Sequence, residues 1–280
     1  MHPNNLHSAL YDFTALQECT PELSEYVFVN KHQVKTIDFS DAAAVIALNK
    51  ALLCHHYNIK RWNLPEDALC PPIPGRVDYI HHLADLILNK KVVHGLDIGV
   101  GANCIYPILG SQIYKWNMVG ADISEDSVIM ARQNATGTVT DIDIRHQTDP
   151  AYLFKNIIQE GEYFDFTMCN PPFYSSEKEA LKANMNKNKN LQLKTTATRN
   201  FGGLANELWC NGGEALFIKR MIKQSVPFKK QVGVFTTLVS RNEHLPKLIK
   251  LLTKLKASHA IIEMQLGNKK SRILTWKFNS

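Results

Sequence analysis

No apolar run in the chain approaches the roughly eighteen residues of a membrane-spanning helix, so nothing is expected to cross a bilayer. The opening Met1-His2-Pro3-Asn4-Asn5 has neither the basic start nor the apolar stretch of a secretory signal. Cysteine is sparse and scattered. Cys19, Cys54, Cys70, Cys104, Cys169 and Cys210 include no CxxC pair, so they read as reduced, packed thiols of a cytoplasmic protein and no metal site is expected. No internal repeat is visible. Charge of one sign is not in large excess either: 32 basic residues face 26 acidic ones, a net of +6 that a solvated face would explain. What remains is 280 residues, 45% hydrophobic, enough for one large domain or one domain with a small extension.

The most informative residues present are Asn170-Pro171-Pro172-Phe173, followed by Tyr174. They end an aromatic and apolar run, 163–169, that reads as a buried strand. Neither proline can donate a backbone hydrogen bond and both fix φ, while Asn170, preceding a proline, is pushed toward extended backbone. The result is a rigid corner with acceptors for a planar amine and an aromatic face beside it. An exocyclic amino nitrogen is a poor nucleophile because its lone pair is delocalised into the ring. The Asn170 side-chain oxygen and the Pro171 carbonyl would hold its two hydrogens and aim the nitrogen at an electrophilic methyl, a matter of positioning and electrostatics. Phe173 would stack on the base. Taken alone, the same four residues also suit an ordinary strand-ending turn.

A second corner lies upstream. A strand over 92–98 runs into Gly99-Val100-Gly101-Ala102-Asn103-Cys104 and then a helix-like stretch from Ile105 to Ile113. Strand, glycine turn and helix is how open α/β sheets bind adenosine-containing cofactors. The third glycine of the dinucleotide fingerprint is Cys104 here, which argues against a pyrophosphate cofactor such as NAD. Asp122 ends the next strand, 116–121, and suits two ribose hydroxyls, with Ser124 as the better cap for the following helix. After a third strand, 142–145, Gln147 and Thr148 either read the adenine edge or belong to a solvated loop capping a helix over 151–160.

Taken in order, the glycine loop, acidic second strand, polar third-strand end and Asn-Pro-Pro-Phe resemble the Rossmann-like S-adenosylmethionine-dependent methyltransferases that modify amino groups. The resemblance implies an α/β fold with a mostly parallel seven-stranded sheet and helices on both faces. Val232 to Val239 would be strand five, with 260–266 and 272–278 as an antiparallel final pair. It also implies that Asp97, Gly99 and Gly101 lie under the methionine part of the cofactor, and that Arg76 approaches its carboxylate. The flanks narrow the match. His2-Pro3-Asn4-Asn5, the segment Pro74-Gly75-Arg76-Val77-Asp78-Tyr79, Asn200-Phe201-Gly202-Gly203 and Gly212-Gly213-Glu214 resemble the bacterial 23S ribosomal RNA adenine-N6 methyltransferases over essentially the whole chain. They are also similar to the catalytic domain of a metazoan small nuclear RNA adenine-N6 methyltransferase. This resemblance implies an enzyme methylating one adenine of 23S rRNA, naked or in an assembly intermediate, with S-adenosylmethionine as cofactor and no metal. That group tends to carry arginines in its first ten residues. This chain has Asn4, Leu6 and Ala9 there, with His2 and His7 as the only potential cations, so an N-terminal arm gripping RNA by charge is not expected.

The first 75 residues read as an accessory segment that packs on the core and helps form the RNA groove, and residues 76–280 as the methyltransferase domain. A helix is predicted over Asp41–His56 with Ser40 as its cap, and another over Val77–Asn89, while Pro65, Pro71, Pro72 and Pro74 interrupt regular structure between them. Nine basic residues between Arg241 and Lys277 face Glu243 and Glu263, with Lys247, Lys250 and Lys254 on one helical face and Leu248, Leu251, Leu252 and Leu255 on another. A loop bearing Lys178, Lys182, Lys187, Lys189, Lys194 and Arg199 follows the catalytic motif and would be a mobile phosphate clamp. Two other readings are a glutamine-amide methyltransferase of proteins, which shares an Asn-Pro-Pro-Tyr corner, and a non-catalytic RNA-binding assembly factor.

Overall fold

The strands end where the chain needs to change chemistry, and that places the site. The computed structural model describes residues 1–65, 70–87, 90–176, 178–179, 209–267 and 269–278. Seven helices are described: α1 Phe13–Cys19, α2 Ala42–Tyr57, α3 Ile73–Leu86, α4 Ile105–Tyr114, α5 Glu125–Asn134, α6 Gly213–Ser225 and α7 Leu245–Lys254. A small ladder, β1 Phe28–Val29 with β2 Lys35–Thr36, precedes the main sheet. The sheet strands are β3 His94–Ile98, β4 Asn117–Asp122, β5 Ile142–His146, β6 Phe164–Cys169, β7 Val232–Val239, β8 Ala257–Leu266 and β9 Lys269–Phe278.

Their order is β5-β4-β3-β6-β7-β9-β8. Strands β3 to β7 pair in parallel, and β9 runs antiparallel to both β7 and β8. This is the expected seven-stranded sheet. It reverses direction of growth between β3 and β6, the switch point at which open α/β sheets bind ligands beyond their carboxyl ends. Two apolar clusters cover its faces. One joins α2 to α5 and the first sixty-odd residues, through Leu16, Leu23, Leu52, Trp62, Ile80, Leu109 and Phe166 among others. The other joins residues 153–158, α6 and α7, with Leu248 and Leu252 turned inward as their spacing predicted, Leu245 buried beside them and Leu251 and Leu255 partly buried. No helix among the described residues is long and apolar enough to cross a membrane.

Several expectations need correcting. Asp41, not Ser40, caps α2, accepting from the Ala43 and Ala44 amides at 2.9 and 3.5 Å. Ser40 is already used: its amide and hydroxyl both donate to Asp38. Helix α3 starts four residues early because Pro74 sits in its first turn, where no intrahelical N–H is needed; the 75/76 boundary therefore falls inside it. Residues 151–160 form successive turns instead of a helix. Asn156 adopts a left-handed φ of 71°, and the Arg220 and Gln224 side chains of α6 take the Pro150 and Ala151 carbonyls that a helix would have used.

The cysteines divide. Cys19 and Cys54 form a disulfide tying α1 to α2, against the expectation that all six are reduced thiols. Their 35-residue separation carries no local signal; packing of the two helices brings the sulfurs together. Cys70, Cys104 and Cys169 are free and buried, and Cys210 is half-buried.

The N-terminus is not an arm. The His2 amide donates to Asp78 at 2.6 Å, and Asn5 donates to Asp78 and to the Pro74 carbonyl. His7 meets the Tyr57 hydroxyl at 2.8 Å. Both histidines are buried, and burial with the neighbouring His56 and His81 brings His7 down to about 4. These residues hold the chain start against α3 and α2.

Candidate active site

At the carboxyl ends of β3, β4 and β6 lies a cavity of about 300 Å³. Its wall includes Arg76, Gly99, Gly101, Asp122, Gln147, Asn170 and Pro172, seven of the residues singled out from the sequence. The glycine turn is built as the motif requires. Gly99 and Gly101 have φ of 77° and 61°, which L side chains rarely adopt. The Gly99 and Val100 amides fold back onto the Ala121 carbonyl at 2.8 and 3.0 Å. Cys104 at the third fingerprint position also sits at a positive φ, 51°, and starts α4 without a side-chain cap. The turn therefore keeps a glycine-like backbone there despite the substitution.

Asp122 at the end of β4 and Asp97 one residue before the end of β3 differ in their hydrogen bonding. Asp122 accepts the Gly101 amide on one oxygen and the Ser124 amide on the other, both at 2.9 Å. A carboxylate has about four acceptor positions, so each oxygen retains one for a ligand hydroxyl. Burial raises its pKa even so, with those bonds pulling the other way. Asp97 is 1% exposed and neither oxygen has a hydrogen-bond partner among the described residues. Burial, aided by the Asp122 charge, pushes Asp97 up to about 8, although Arg76 opposes this. Arg76 is itself buried. It donates to the Tyr106 hydroxyl at 2.6 Å, and among the described residues it makes no bidentate pair with a carboxylate and its Nε has no partner.

Gln147 lines the cavity with its amide partly engaged, one N–H and one lone pair remaining. Its nitrogen donates to the Lys155 carbonyl at 2.7 Å and its oxygen accepts from the Asp149 amide at 3.1 Å. Thr148 is exposed and outside the cavity wall. Polar side chains at the end of β5 thus shape the turn after it, and the apolar Ile123, Tyr152 and Leu153 supply the flat walls there. Sequence reasoning missed those three, since nothing periodic marks them. Ile123, an exposed isoleucine directly after the ribose-type aspartate, was the available hint.

At the other end, Asn170 Oδ1 is buried without a hydrogen-bond partner among the described residues. Pro171 and Pro172 are buried behind it and Phe173 is half-buried, with Pro171 and Phe173 outside the cavity wall. The corner is braced by Tyr174, which bridges to Trp209 and accepts the Cys210 amide at 3.1 Å. Trp209 also lines the cavity, its indole N–H without a partner among the described residues. Lys182, Lys187, Lys189, Lys194, Arg199 and the segment 200–203 lie outside the described residues.

His2, His82 and Asp85 bring three ligand-type atoms within 4.8 Å of one another. The Asn4 amide donates to His2 Nδ1 at 3.1 Å, which puts the ring proton on Nε2, 3.0 Å from the Asp85 carboxylate. The set is a hydrogen-bonded cluster, and a metal on Nε2 would break that arrangement.

A glycine cradle, an acidic second strand and an Asn-Pro-Pro-Phe corner around one cavity agree with what the chain matches. A family model described as RNA methyltransferase covers residues 1–280. The chain belongs to this family. It is 57% identical over 285 residues to the ribosomal RNA large subunit methyltransferase F of Christiangramia forsetii, spanning 100% of both chains. It is 49% identical to the same-named protein of Flavobacterium johnsoniae, over 99% of this chain and 93% of the other. Among solved structures it resembles the human METTL16 catalytic domain in complex with MAT2A 3′UTR hairpin 1. That match has a TM-score of 0.85 and 28% identity, covering 100% of this chain and 96% of that one. The N-terminal domain of human METTL16 in complex with SAH matches with a TM-score of 0.78 and 25% identity, over 100% and 99% of the two chains. The chain is therefore a methyltransferase of the α/β kind, an enzyme whose family acts on RNA.

Proposed function

We propose that the chain transfers the methyl group of S-adenosylmethionine to N6 of one adenine in 23S ribosomal RNA, working in the cytoplasm on naked RNA or an assembly intermediate. The observation that carries this reading is Asn170 Oδ1, a buried acceptor with no partner among the described residues, in the wall of an adenosine-type cavity. A buried polar atom left unpaired costs about 1–3 kcal/mol. An amino group donating to it would remove that cost. The names of the relatives, ribosomal RNA large subunit methyltransferases, supply the substrate class.

The residues fit the cofactor. Asp97, unpartnered and buried, suits the ammonium of its methionine part, and Arg76 with its free Nε suits the carboxylate. The Gly99–Gly101 turn would let the backbone approach closely, and Asp122 would take the ribose hydroxyls. When bound, the cofactor supplies an electrophilic methyl on its sulfonium. The chain's own contribution is positioning. Asn170 and the Pro171 carbonyl would hold the two amino hydrogens of an adenine turned out of its stack, because N6 is otherwise engaged in pairing. Phe173 would stack on the ring, worth roughly 1–3 kcal/mol per base. The nitrogen becomes acidic once methylated and loses its proton without a strong base. Residues 1–75 would form part of the groove that receives the RNA.

The test is nucleoside mass spectrometry of 23S rRNA from cells lacking the protein, incubated with purified chain and S-adenosylmethionine. A gain of one N6-methyladenosine per rRNA supports the proposal. No gain on naked rRNA or on large-subunit assembly intermediates overturns it and favours the glutamine-amide alternative.

A further inference from the structure

A second, larger cavity of about 840 Å³ lies between α1, α2 and the segment after α2. Three cations, Lys50, Lys60 and Arg61, face a single acid in its wall, Glu22, and Tyr26 and Trp62 supply aromatic surface. The segment is held firmly. Asn58 ends α2 at a left-handed φ of 54°, and the Ile59 amide returns to the Leu53 carbonyl at 3.1 Å. Ile59 and Trp62 are buried on either side of the exposed Lys60-Arg61 pair.

Arg61 stands apart from the other described arginines. Arg76 bonds Tyr106, Arg132 the Ile144 carbonyl, Arg145 Glu162, Arg220 the Pro150 carbonyl, Arg241 Glu179 and Arg272 Glu263. Among the described residues Arg61 has no protein acceptor, and Lys60 has none either. An arginine on a held segment beside an open cavity, with no acceptor for its side chain among the described residues, is arranged for an anion from outside.

Hydrogen bonds also join the wall of this cavity to that of the first. Trp62 Nε1 donates to the Asn103 carbonyl at 2.8 Å, and Asn103 lines the cofactor cavity. Asn63 and Asn134 exchange hydrogen bonds at 2.8 and 2.9 Å, and Asn134 also donates to the Ala102 carbonyl of the glycine turn. An occupant would therefore lie next to the active site and on its rigid frame.

We propose that this cavity is a subsite for the RNA backbone, in which Lys60 and Arg61, with Lys50 behind them, receive phosphates of a strand flanking the target adenine. The volume suits a nucleotide unit, the unpaired cations suit phosphate, and Tyr26 offers a face to a base or sugar. The proposal rests on the RNA reading above, and its test keeps the two apart.

Binding of a 23S rRNA fragment is measured against salt concentration for the wild-type chain, for K60A/R61A, and for K229A/K230A as a control that removes two exposed charges elsewhere. Methylation and SAH affinity are measured in parallel. Each lost phosphate contact lowers the salt slope by about 0.7–0.9. K60A/R61A should thus flatten the slope by about 1.5 and weaken RNA binding about tenfold, with SAH affinity unchanged and the control at wild-type slope. Wild-type methylation with an unchanged slope in K60A/R61A, or an equal flattening in the control, overturns the subsite and leaves the RNA reading standing. If the wild-type chain neither binds nor methylates the RNA, both fall.

Discussion

The N-terminal cluster and the cofactor corner bury similar kinds of polar group in different settings. Around His2, Asn5 and Asp78 the buried donors meet acceptors within the chain. The two atoms there without a hydrogen-bond partner among the described residues, His7 Nδ1 and Asp78 Oδ2, belong to residues outside the cofactor cavity wall. At the ends of β3 and β6, Asp97 and Asn170 keep acceptor atoms without partners among the described residues. Buried polar groups are normally satisfied. What separates the regions is that Asn170 holds its open acceptor at a cavity wall, where a ligand can reach it, whereas the N-terminal cluster packs its polar groups against α2 and α3. Even within the corner the contrast persists, since Asp122 is engaged on both oxygens and the adjacent Asp97 on neither.

Substitutions should separate the two regions. The largest effect is expected at Asn170. Asn170→Ala removes the acceptor that grips the reacting nitrogen, so the single-turnover methylation rate should fall by at least about 10²–10³, with SAH affinity within about twofold of wild type. A normal rate would end the proposed mechanism.

Asp97→Asn comes next. It should weaken SAH binding by at least about tenfold by removing the charge that meets an ammonium. It should also stabilise the free protein at alkaline pH. The folded carboxyl titrates at about 8 and the unfolded one near 4, so between those values the folded chain holds a proton that the unfolded chain has lost. The stability of the free wild-type chain therefore falls as pH rises through that window, and the Asn variant should lose less. Thermal melts at acidic and alkaline pH would reveal this.

Phe173→Ala should cost about tenfold in kcat/KM for RNA, the range expected for one stacked base, and leave the KM for cofactor alone. Asn5→Ala is the smallest change and lies in the other region. It leaves the Pro74 carbonyl short of a donor and takes one from Asp78, costing about 1–2 kcal/mol. The melting temperature should drop by about 2–8 °C while kcat at low temperature stays near wild type. A selective loss of activity instead would mean that the two regions are not so distinct.

Much of the frame was legible in the sequence because it obeys short-range rules. Strand β7 starts and stops where its apolar run does, and the turns at Gly99 and Asn170 come from glycine and proline backbone chemistry. What escaped depends on partners far apart in the chain. That Gln147 is anchored to Lys155 and Asp149 shows only in the folded chain. Residues 151–160 lose their helix to side chains of α6, seventy residues away. Ser40 lost the cap to Asp41 through its own neighbour Asp38, a competition that composition does not rank. The Cys19–Cys54 disulfide has no local signature at all.

The claim that the corner's unpaired groups await the cofactor is tested most directly by counting protons. SAH binding would be followed by calorimetry at pH 7 in buffers of different ionisation enthalpy. If its ammonium meets Asp97, the carboxyl is driven from about 8 to well below neutrality, and wild type should release close to one proton per SAH bound. Asp97→Asn should release almost none. Equal proton counts for the two chains would show that Asp97 does not meet the ligand, and the reading of the corner would fail.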